Sequence, residues 1–197
     1  MSDGHGTKAT LRAELLRRRR GLTPQELATA ARALAERVAD LPEIRTADTV
    51  AAYVSMGTEP GTREVIDALR AAGTRVLLPV LMADNDLDWA AYEGPEALER
   101  THRGLSEPAG SRLGPETVTR AGVVLLPGLA VDGDGLRLGR GGGSYDRVLA
   151  RLERAGRHPA LMVLLYANEV VARVPREPHD HPVHLAVTPE GIHRFTP

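Results

Sequence analysis

Two spacings of hydrophobic residues alternate along this chain. Apolar residues three or four positions apart predict helices at residues 8–20, 23–39, 62–73, 145–154 and, as a short element, 168–173. Short apolar runs predict strands at residues 49–54, 75–80, 87–92, 123–126, 160–166 and 185–188. Because strands and helices alternate throughout, we expect a single three-layer α/β domain over residues 1–197, with a mostly parallel sheet between helices.

Capping residues mark the ends of the first two predicted helices. Thr7 precedes the first helix and Gly21 follows it. The second helix starts at Thr23-Pro24-Gln25-Glu26, the pattern of a capping box with proline in the first helical position. Residues 93–112 are irregular, apart from a short helix predicted at 95–100.

The most informative stretch is rich in glycine and arginine. A strand ending before Pro127 is followed by Arg137-Leu138-Gly139-Arg140-Gly141-Gly142-Gly143-Ser144-Tyr145, and then by a helix with Asp146 in its first turn. Glycines allow close backbone approach to a ligand, and a helix start attracts anions. This pattern predicts a strand, an anion-holding loop and a helix; the alternative is a mobile surface turn closed by a helix cap. It is neither a Walker loop nor a dinucleotide fingerprint, since Ser144 stands where the last glycine of that fingerprint would be.

Residues 137–147, together with Pro127-Gly128 and Asp132, resemble the signature of the 5-formyltetrahydrofolate cyclo-ligase family, also called 5,10-methenyltetrahydrofolate synthetase. The family usually has a second aromatic residue where Ser144 stands. The resemblance spans residues 8–188 and implies a fold similar to the sugar-phosphate isomerase and CoA-transferase group. It also implies an enzyme that uses ATP and Mg²⁺ to convert 5-formyltetrahydrofolate to 5,10-methenyltetrahydrofolate, with release of ADP and phosphate.

The resemblance implies an ATP site with cations from two parts of the chain. Lys8 and Arg12 match the family's first motif, and their spacing places both on one side of a helix. Lys8 and Arg140 are the implied catalytic residues, and Asp146 and Asp180 are the implied Mg²⁺ ligands. The implied ATP-binding residues are Lys8, Ala9, Thr10, Leu11, Arg12, Arg137, Leu138, Gly139, Arg140, Gly141, Gly142, Gly143, Ser144 and Tyr145. The arginine run at residues 17–20 is predicted to be a solvated face.

The implied folate site begins in the loop after the strand at residues 49–54. A carboxylate at Glu59 suits the donor edge of a pterin, because it accepts paired hydrogen bonds; spacing alone favours an exposed loop acid. Arg103 stands near the position where the family often has an aromatic residue against the substrate, and Trp89 is predicted to pack in the core. The implied substrate-binding residues are Tyr53, Val54, Glu59, Thr62, Arg140, Gly141, Gly142, Gly143 and Ser144.

Histidines cluster with an aspartate near the carboxyl end of the chain. His179, Asp180, His181 and His184 are of the types that bind transition metals. The neighbouring prolines and irregular spacing favour a plain loop instead. In the family, a Pro-x-Glu-x-His-Asp segment stands here with its aspartate near magnesium, so the resemblance assigns Asp180 to the metal, with His179 supporting it.

Composition narrows the classes of partner. The 197 residues include 25 basic and 26 acidic side chains, so a net charge of −1 predicts no nucleic acid or membrane partner. The absence of cysteine excludes disulfides and thiolate nucleophiles. The polar start of the chain and the lack of a long apolar run predict a soluble, cytoplasmic protein, which we expect to be a monomer.

Two other functions remain open at this point. One is a sensor that binds a nucleotide or phosphometabolite without turnover, and the other is an ATP-dependent relative that acts on a different N-acyl substrate. The departures at Ser144 and Arg103 keep the sensor open, because either could have removed the pterin platform. ADP release with and without 5-formyltetrahydrofolate distinguishes the three functions.

Overall fold

The computed structural model describes residues 7–178 and 180–195 of the chain. Its α-helices are α1 (Lys8–Arg20), α2 (Pro24–Asp40), α3 (Pro42–Arg45), α4 (Arg63–Ala71) and α5 (Ser144–Arg154), with 3₁₀ turns at Pro95–Ala97, Pro115–Arg120 and Ala167–Glu169. Its strands are β1 (Thr49–Ala51), β2 (Arg75–Leu81), β3 (Leu87–Ala91), β4 (Leu98–Arg100), β5 (Ser106–Pro108), β6 (Val123–Leu126), β7 (Ala130–Val131), β8 (Arg137–Leu138), β9 (Ala160–Leu164), β10 (Leu185–Thr188) and β11 (Gly191–Arg194).

Within these residues, seven strands form one sheet in the order β11-β10-β9-β6-β1-β2-β3. The strands from β10 to β2 are parallel, while β11 and β3 are antiparallel edges. Two short hairpins, β4–β5 and β7–β8, are separate from this sheet. The predicted mostly parallel sheet is confirmed. Its parallel strands end at one common edge, which is where open α/β sheets bind ligands.

Helices cover both faces of the sheet, because successive residues of a strand point to opposite sides. In β6, Val123 and Leu125 pack in the cluster that contains the apolar residues of α2 and α4. Val124 and Leu126 pack in the cluster that contains those of α5. This two-sided burial explains why β6 is an unbroken apolar run, and it confirms a sheet between helices.

Local capping defines the first two helices as predicted. Thr7 Oγ1 accepts a hydrogen bond from Thr10 N at 3.2 Å at the start of α1, and Gly21 follows its last residue. At α2, Thr23 and Glu26 satisfy each other's backbone N–H groups in a capping box. The capping groups lie within three residues of each other, so the sequence alone reveals these ends.

β1 is shorter than the strand predicted at residues 49–54. After Ala52 the backbone forms hydrogen bonds with the Thr62 side chain. Thr62 Oγ1 donates to Tyr53 O at 2.6 Å and accepts from Ser55 N at 2.8 Å. The chain therefore leaves the sheet at Tyr53.

Other differences concern short elements. The helix predicted at residues 95–100 is a 3₁₀ turn followed by β4, and the helix predicted at 168–173 is a 3₁₀ turn. β4, β5, β7, β8, β11 and α3 were not predicted, since two to four residues carry little periodicity. Trp89 is buried in the core as predicted. In the part of the chain that the structure describes, no helix is long and apolar enough to cross a bilayer.

Candidate active site

A cavity of about 410 Å³ opens at the carboxyl edge of the parallel sheet. Its walls come from the segments after β1 and β6, the end of β2, the start of α1 and the loop before α5. The lining residues are Lys8, Arg12, Tyr53, Val54, Met56, Glu59, Pro79, Leu81, Leu87, Leu105, Ser106, Glu107, Pro127, Gly128, Arg137, Leu138, Gly139, Arg140, Gly141, Gly142, Gly143, Ser144, Tyr145, Asp146, Glu177 and Asp180. Because β1 and β6 are neighbours in the sheet, the segments predicted for folate and for ATP meet here.

The sequence predicted a single loop between the strand before Pro127 and the helix. The structure differs at this point. Between β6 and the loop, the chain forms the β7–β8 hairpin. The buried carboxylate of Asp132 holds its turn: Oδ1 accepts from Leu136 N at 3.0 Å, and Oδ2 accepts from Val174 N at 2.9 Å. Asp132 thus shapes the hairpin and joins it to a distant segment.

Arg137 lies in β8, where its side chain is only 7% exposed. Its Nη1 donates to Pro127 O at 2.9 Å, and its Nη2 lies 3.5 Å from Asp146 Oδ1. Burial lowers the pKa of Arg137, and the charge of Asp146 partly offsets that effect. A Cβ on Gly139 would lie 2.8 Å from Arg137 Nη1, so a larger residue at this position would displace the guanidinium. Arg137, predicted to lie in the anion-holding loop, is therefore a strand residue fixed in the cavity wall.

The loop at residues 139–143 connects this hairpin to α5. Gly141 and Gly143 have φ values of +94° and +78°, in the left-handed region that favours glycine. Arg12 Nε donates to Gly139 O at 2.8 Å, which fastens the loop to α1. Since the loop ends at a helix N-terminus, the backbone N–H groups and the helix dipole favour an anion at this wall.

Arg140 and Glu59 form an ion pair across the cavity. Arg140 Nε lies 3.2 Å from Glu59 Oε1; the Arg140 side chain is 52% exposed, whereas that of Glu59 is only 9% exposed. Glu59 Oε2 also accepts from Met56 N at 2.8 Å. Glu59 is thus a held carboxylate in the cavity wall and not the exposed loop acid that spacing alone favoured.

Lys8 pairs with two carboxylates from the carboxyl-terminal part of the chain. Its Nζ lies 2.6 Å from Glu177 Oε2 and 2.9 Å from Asp180 Oδ2. Burial opposes the charge on Lys8, but the hydrogen bonds to Glu177 and Asp180 outweigh that effect and raise its pKa. The residue implied as a phosphate cation and the residue implied as a metal ligand are therefore direct neighbours.

The two implied Mg²⁺ ligands, Asp146 and Asp180, both line the cavity. Among the described residues, no group of three or more histidine, aspartate or glutamate side chains is arranged to hold a metal ion. His181 Nε2 lies 3.8 Å from Glu153, and His184 Nδ1 accepts from Leu161 N at 2.9 Å. His179, predicted to support Asp180, lies outside the described residues.

Several residues implied for the two sites lie outside the cavity lining. Thr62 is fully buried, and its hydroxyl bonds to the backbone of Tyr53 and Ser55, so it supports the loop that carries Glu59. Of the implied ATP-binding residues in α1, Lys8 and Arg12 line the cavity, and they lie one helical turn apart. Ala9 and Thr10 are exposed elsewhere, and Leu11 packs against the apolar residues of the β7–β8 hairpin.

Tyr53 and Val54 line the cavity, in accord with their implied place near the substrate. Burial, followed by the charge of Glu59, raises the pKa of Tyr53 far above its ordinary value. Two polar atoms of other lining residues, Arg137 Nε and Tyr145 Oη, are buried without a hydrogen-bond partner in the described part of the chain. Buried polar groups usually have partners, so both residues keep hydrogen-bonding capacity that the described contacts do not use.

Sequence reasoning missed part of the wall opposite the glycine-rich loop. Leu105, Ser106 and Glu107 line the cavity, and Glu107 Oε1 accepts from Leu81 N at 2.9 Å. Their signal in the sequence is the Gly-Leu-Ser-Glu-Pro segment at residues 104–108. Arg103 itself is exposed and is not a lining residue.

The arginine run at residues 17–20 is not wholly a solvated face. Arg19 is 2% exposed and forms an ion pair with Glu169, which is equally buried. The prediction failed because Glu169 lies 150 positions away, beyond the reach of any local pattern. Its neighbour Arg20 is exposed, as predicted.

The fold and the cavity together define an α/β protein with a cation-rich cavity at the carboxyl edge of its sheet. The chain belongs to the 5-formyltetrahydrofolate cyclo-ligase family, whose sequence profile matches residues 5–189. It is 38% identical over 191 residues to the 5-formyltetrahydrofolate cyclo-ligase of Mycolicibacterium smegmatis. The aligned residues cover 93% of this chain and 94% of that relative. It is 32% identical over 179 residues to the protein of the same name from Escherichia coli K12, with coverage of 89% and 96%.

A solved structure agrees with this assignment. The NMR structure of 5,10-methenyltetrahydrofolate synthetase from Aquifex aeolicus is similar to this fold with a TM-score of 0.80 at 27% identity. The similarity covers 95% of this chain and 92% of that one. The family resemblance stated from the sequence is confirmed.

Proposed function

We propose that the protein catalyses the ATP-dependent conversion of 5-formyltetrahydrofolate to 5,10-methenyltetrahydrofolate, with release of ADP and phosphate. The observation that carries this proposal is one cavity that joins a glycine-rich, arginine-bearing loop to the held carboxylate of Glu59, in a member of the cyclo-ligase family. A nucleotide and a pterin each have suitable recognition groups on its walls.

The chemistry requires the formyl oxygen to become a leaving group. Transfer of the γ-phosphoryl group of ATP to that oxygen releases ADP. The neighbouring folate nitrogen then bonds to the formyl carbon and loses its proton, the carbon–oxygen bond breaks, and phosphate departs with the oxygen. Phosphoryl transfer of this kind depends on positioning and charge neutralisation, so it requires no protein nucleophile.

The cations around the cavity suit the phosphate side of this reaction. Arg137 is fixed in the wall, Arg12 is fastened to the loop, and Arg140 extends from the loop with a half-exposed side chain. Lys8, at the start of α1, is a further cation at the cavity, paired with Glu177 and Asp180. The unpartnered Arg137 Nε and Tyr145 Oη give further donors for an anionic ligand, and positioned donors of this kind stabilise charge as it develops.

Glu59 suits the folate side. Its carboxylate is held by Met56 N and lies against Arg140, so a pterin N–H donor that binds Glu59 lies beside the phosphate loop. Carboxylates accept paired hydrogen bonds from adjacent donors, which is the pattern at the edge of a pterin. This geometry supports the binding of the two substrates side by side.

We propose Mg²⁺ as the metal that accompanies ATP. The donor set fits: Asp146 and Asp180 offer carboxylate oxygens in the cavity that also holds the loop, and Mg²⁺ commonly takes one or two protein carboxylates together with phosphate oxygens. When bound, Mg²⁺ neutralises phosphate charge. Asp146 is half exposed beside Arg137, and the ion pair with Lys8 orients Asp180.

The proposed working unit is a cytoplasmic monomer that binds ATP and a folate and needs neither nucleic acid nor a membrane. One chain contributes every group named above, which supports a monomer. The near balance of acidic and basic side chains supports a protein without a polyanionic partner.

The test is a coupled measurement on purified protein with ATP and Mg²⁺. We expect 5-formyltetrahydrofolate to stimulate ADP release and the methenyl product to appear in equal amount, followed by its ultraviolet absorbance. ATP binding without ADP release at any folate concentration would support the sensor. ADP release driven only by another N-acyl compound would support a relative with a different substrate.

A further inference from the structure

A buried cluster formed by Arg19, Tyr166 and Glu169 lies outside the cavity lining. Arg19 Nε lies 2.6 Å from Glu169 Oε1, and Arg19 Nη2 lies 2.8 Å from Glu169 Oε2. The guanidinium thus engages the carboxylate with two parallel hydrogen bonds, the strongest geometry for this pair. Both side chains are 2% exposed. The Arg19 Cζ atom also lies 5.6 Å from the centre of the Tyr166 ring, within cation–π range.

Two members of the cluster, Arg19 and Tyr166, contact different segments of the site. Arg19 Nη2 donates to the carbonyl of Gly128 at 2.7 Å, and Gly128 lines the cavity after β6. Arg19 also belongs to α1, the helix that carries Lys8 and Arg12 at its other end. One guanidinium therefore joins α1 to the wall beside the phosphate loop.

Tyr166 extends the cluster to the loop that carries Glu59. Glu169 Oε2 accepts from Tyr166 N at 2.9 Å, which fixes the start of the turn after β9. Tyr166 Oη donates to Thr58 O at 2.9 Å, and Thr58 immediately precedes Glu59. The hydroxyl thus holds the loop that presents the carboxylate to the pterin.

Stability alone does not require this arrangement. Burial of two charges costs free energy, and apolar residues of similar size often replace buried ion pairs with no loss of stability. The contacts instead connect α1, the wall after β6 and the Glu59 loop, which are three of the segments that enclose the cavity. A shift of about 1 Å between reacting groups can lower a rate a hundredfold, so the relative placement of these segments matters.

We propose that Arg19, Glu169 and Tyr166 are positioning residues, which hold the Glu59 loop at a set distance from the phosphate-side wall and so align the folate with ATP. This inference rests on the proposed function. It assigns distinct effects to the members: Tyr166 acts on the folate side alone, whereas Arg19 and Glu169 act on the alignment of both substrates.

The first test is Tyr166→Phe, which keeps the ring against Arg19 and removes only the bond to Thr58. We expect the KM for 5-formyltetrahydrofolate to rise about fivefold, the ratio that corresponds to one neutral hydrogen bond, with the KM for ATP and the melting temperature nearly unchanged. Equal changes in both KM values, or none, would overturn the role assigned to Tyr166.

The second test compares Arg19→Lys with Arg151→Lys. Arg151 serves as a control, because it is also buried and forms paired hydrogen bonds to a carboxylate, that of Asp86, with a further bond to Glu116, but is not a lining residue. Both variants should lower the melting temperature. Only Arg19→Lys should also lower kcat, by about tenfold or more, measured below the unfolding range with both substrates saturating.

Similar kinetic constants for the two lysine variants would show that the Arg19 cluster serves stability alone. If Arg19→Lys does not fold, the result for Tyr166→Phe decides. Inactive wild-type protein would refute the proposed function and this inference with it, whereas active wild-type protein with unaltered variants would refute this inference only.

Discussion

At the scale of single residues, the Glu59–Arg140 ion pair is the point where the two halves of the site meet. Its members differ in environment: Glu59 is nearly buried and held by a backbone N–H, whereas Arg140 is half exposed on a glycine-rich loop. A ligand that takes up hydrogen-bonding capacity of Glu59 weakens its attraction for Arg140. In the proposed function, Arg140, on the loop that leads into α5, is then available to phosphate oxygens.

Arg140→Ala should reduce kcat/KM by about tenfold or more, since a hydrogen bond between charged groups contributes about 1.5–3 kcal/mol. Arg20→Ala is the control, because it removes the same charge from an exposed position of α1 away from the cavity. Steady-state kinetics of both variants provide the measurement. If the two behave alike, Arg140 does not act locally.

Asp146→Asn separates a metal ligand from a helix cap. An aspartate in the first turn of α5 stabilises the helix dipole by about 0.3–1 kcal/mol, and asparagine keeps its shape and a carbonyl acceptor. We expect a folded variant whose turnover falls steeply and whose Mg²⁺ requirement rises, measured by a Mg²⁺ titration of activity. Asp134→Asn, at an exposed position of the β7–β8 turn, serves as control. Near-normal activity at ordinary Mg²⁺ would leave Asp146 as a cap only.

At the scale of elements, the glycines before α5 differ in whether the backbone conformation requires glycine. Gly143 adopts a φ of +78° directly before the helix, whereas Gly142 is outside the left-handed region, and a Cβ on either would meet no atom within 4 Å. Backbone conformation and not crowding therefore distinguishes the two positions. The turn into α5 depends on Gly143.

Gly143→Ala should lower the free energy of unfolding by roughly 1–2 kcal/mol, the cost of a left-handed conformation for an L side chain. Gly142→Ala should change it by less than about 0.5 kcal/mol, the usual range for an exposed substitution without a specific contact. Urea denaturation of both variants measures the difference. Equal stabilities would mean that the loop relaxes to a different conformation.

At the scale of the whole molecule, stability depends on how the parallel strands are joined. His184, just before β10, accepts from Leu161 N of β9 through Nδ1. Burial, with a smaller contribution from His158, lowers the pKa of His184 from its ordinary value of 6.5. Well above pH 6.5 both the folded and unfolded chains keep this histidine neutral, so it adds no pH dependence there.

As the pH falls through 6.5, the unfolded chain binds a proton at His184 before the folded chain does, so His184 makes folding less favourable in acid. His184→Gln keeps an acceptor without the titration, and should lose less stability between pH 8 and pH 5 than wild type in urea denaturation. Identical pH dependence in the two proteins would exclude His184 as a source.

Much of the fold could be predicted because its signals are local. Capping groups three residues apart define the starts of α1 and α2, and unbroken apolar runs define β6 and β9 as strands buried on both faces. The β7–β8 hairpin escaped prediction, since it depends on the bond from Val174 N to Asp132, which are distant in sequence. Two-residue strands have too little periodicity to be seen without that contact.

The features of the candidate site also divide into those that local sequence predicted and those that only the folded chain determines. The glycine-rich motif at residues 137–147 is contiguous, and Lys8 and Arg12 lie one helical turn apart. The sequence alone therefore indicated an anion-binding loop, a pair of cations and the family. The burial of the site side chains and the identity of their partners could not be predicted, because both depend on tertiary packing. Thr62 and Arg19 have their places because strands order the sheet and bring distant partners together: Thr62 bonds under the Glu59 loop, and Arg19 meets Glu169. A charged side chain in a polar run is solvated until a remote carboxylate replaces its water, and only the folded chain supplies that carboxylate.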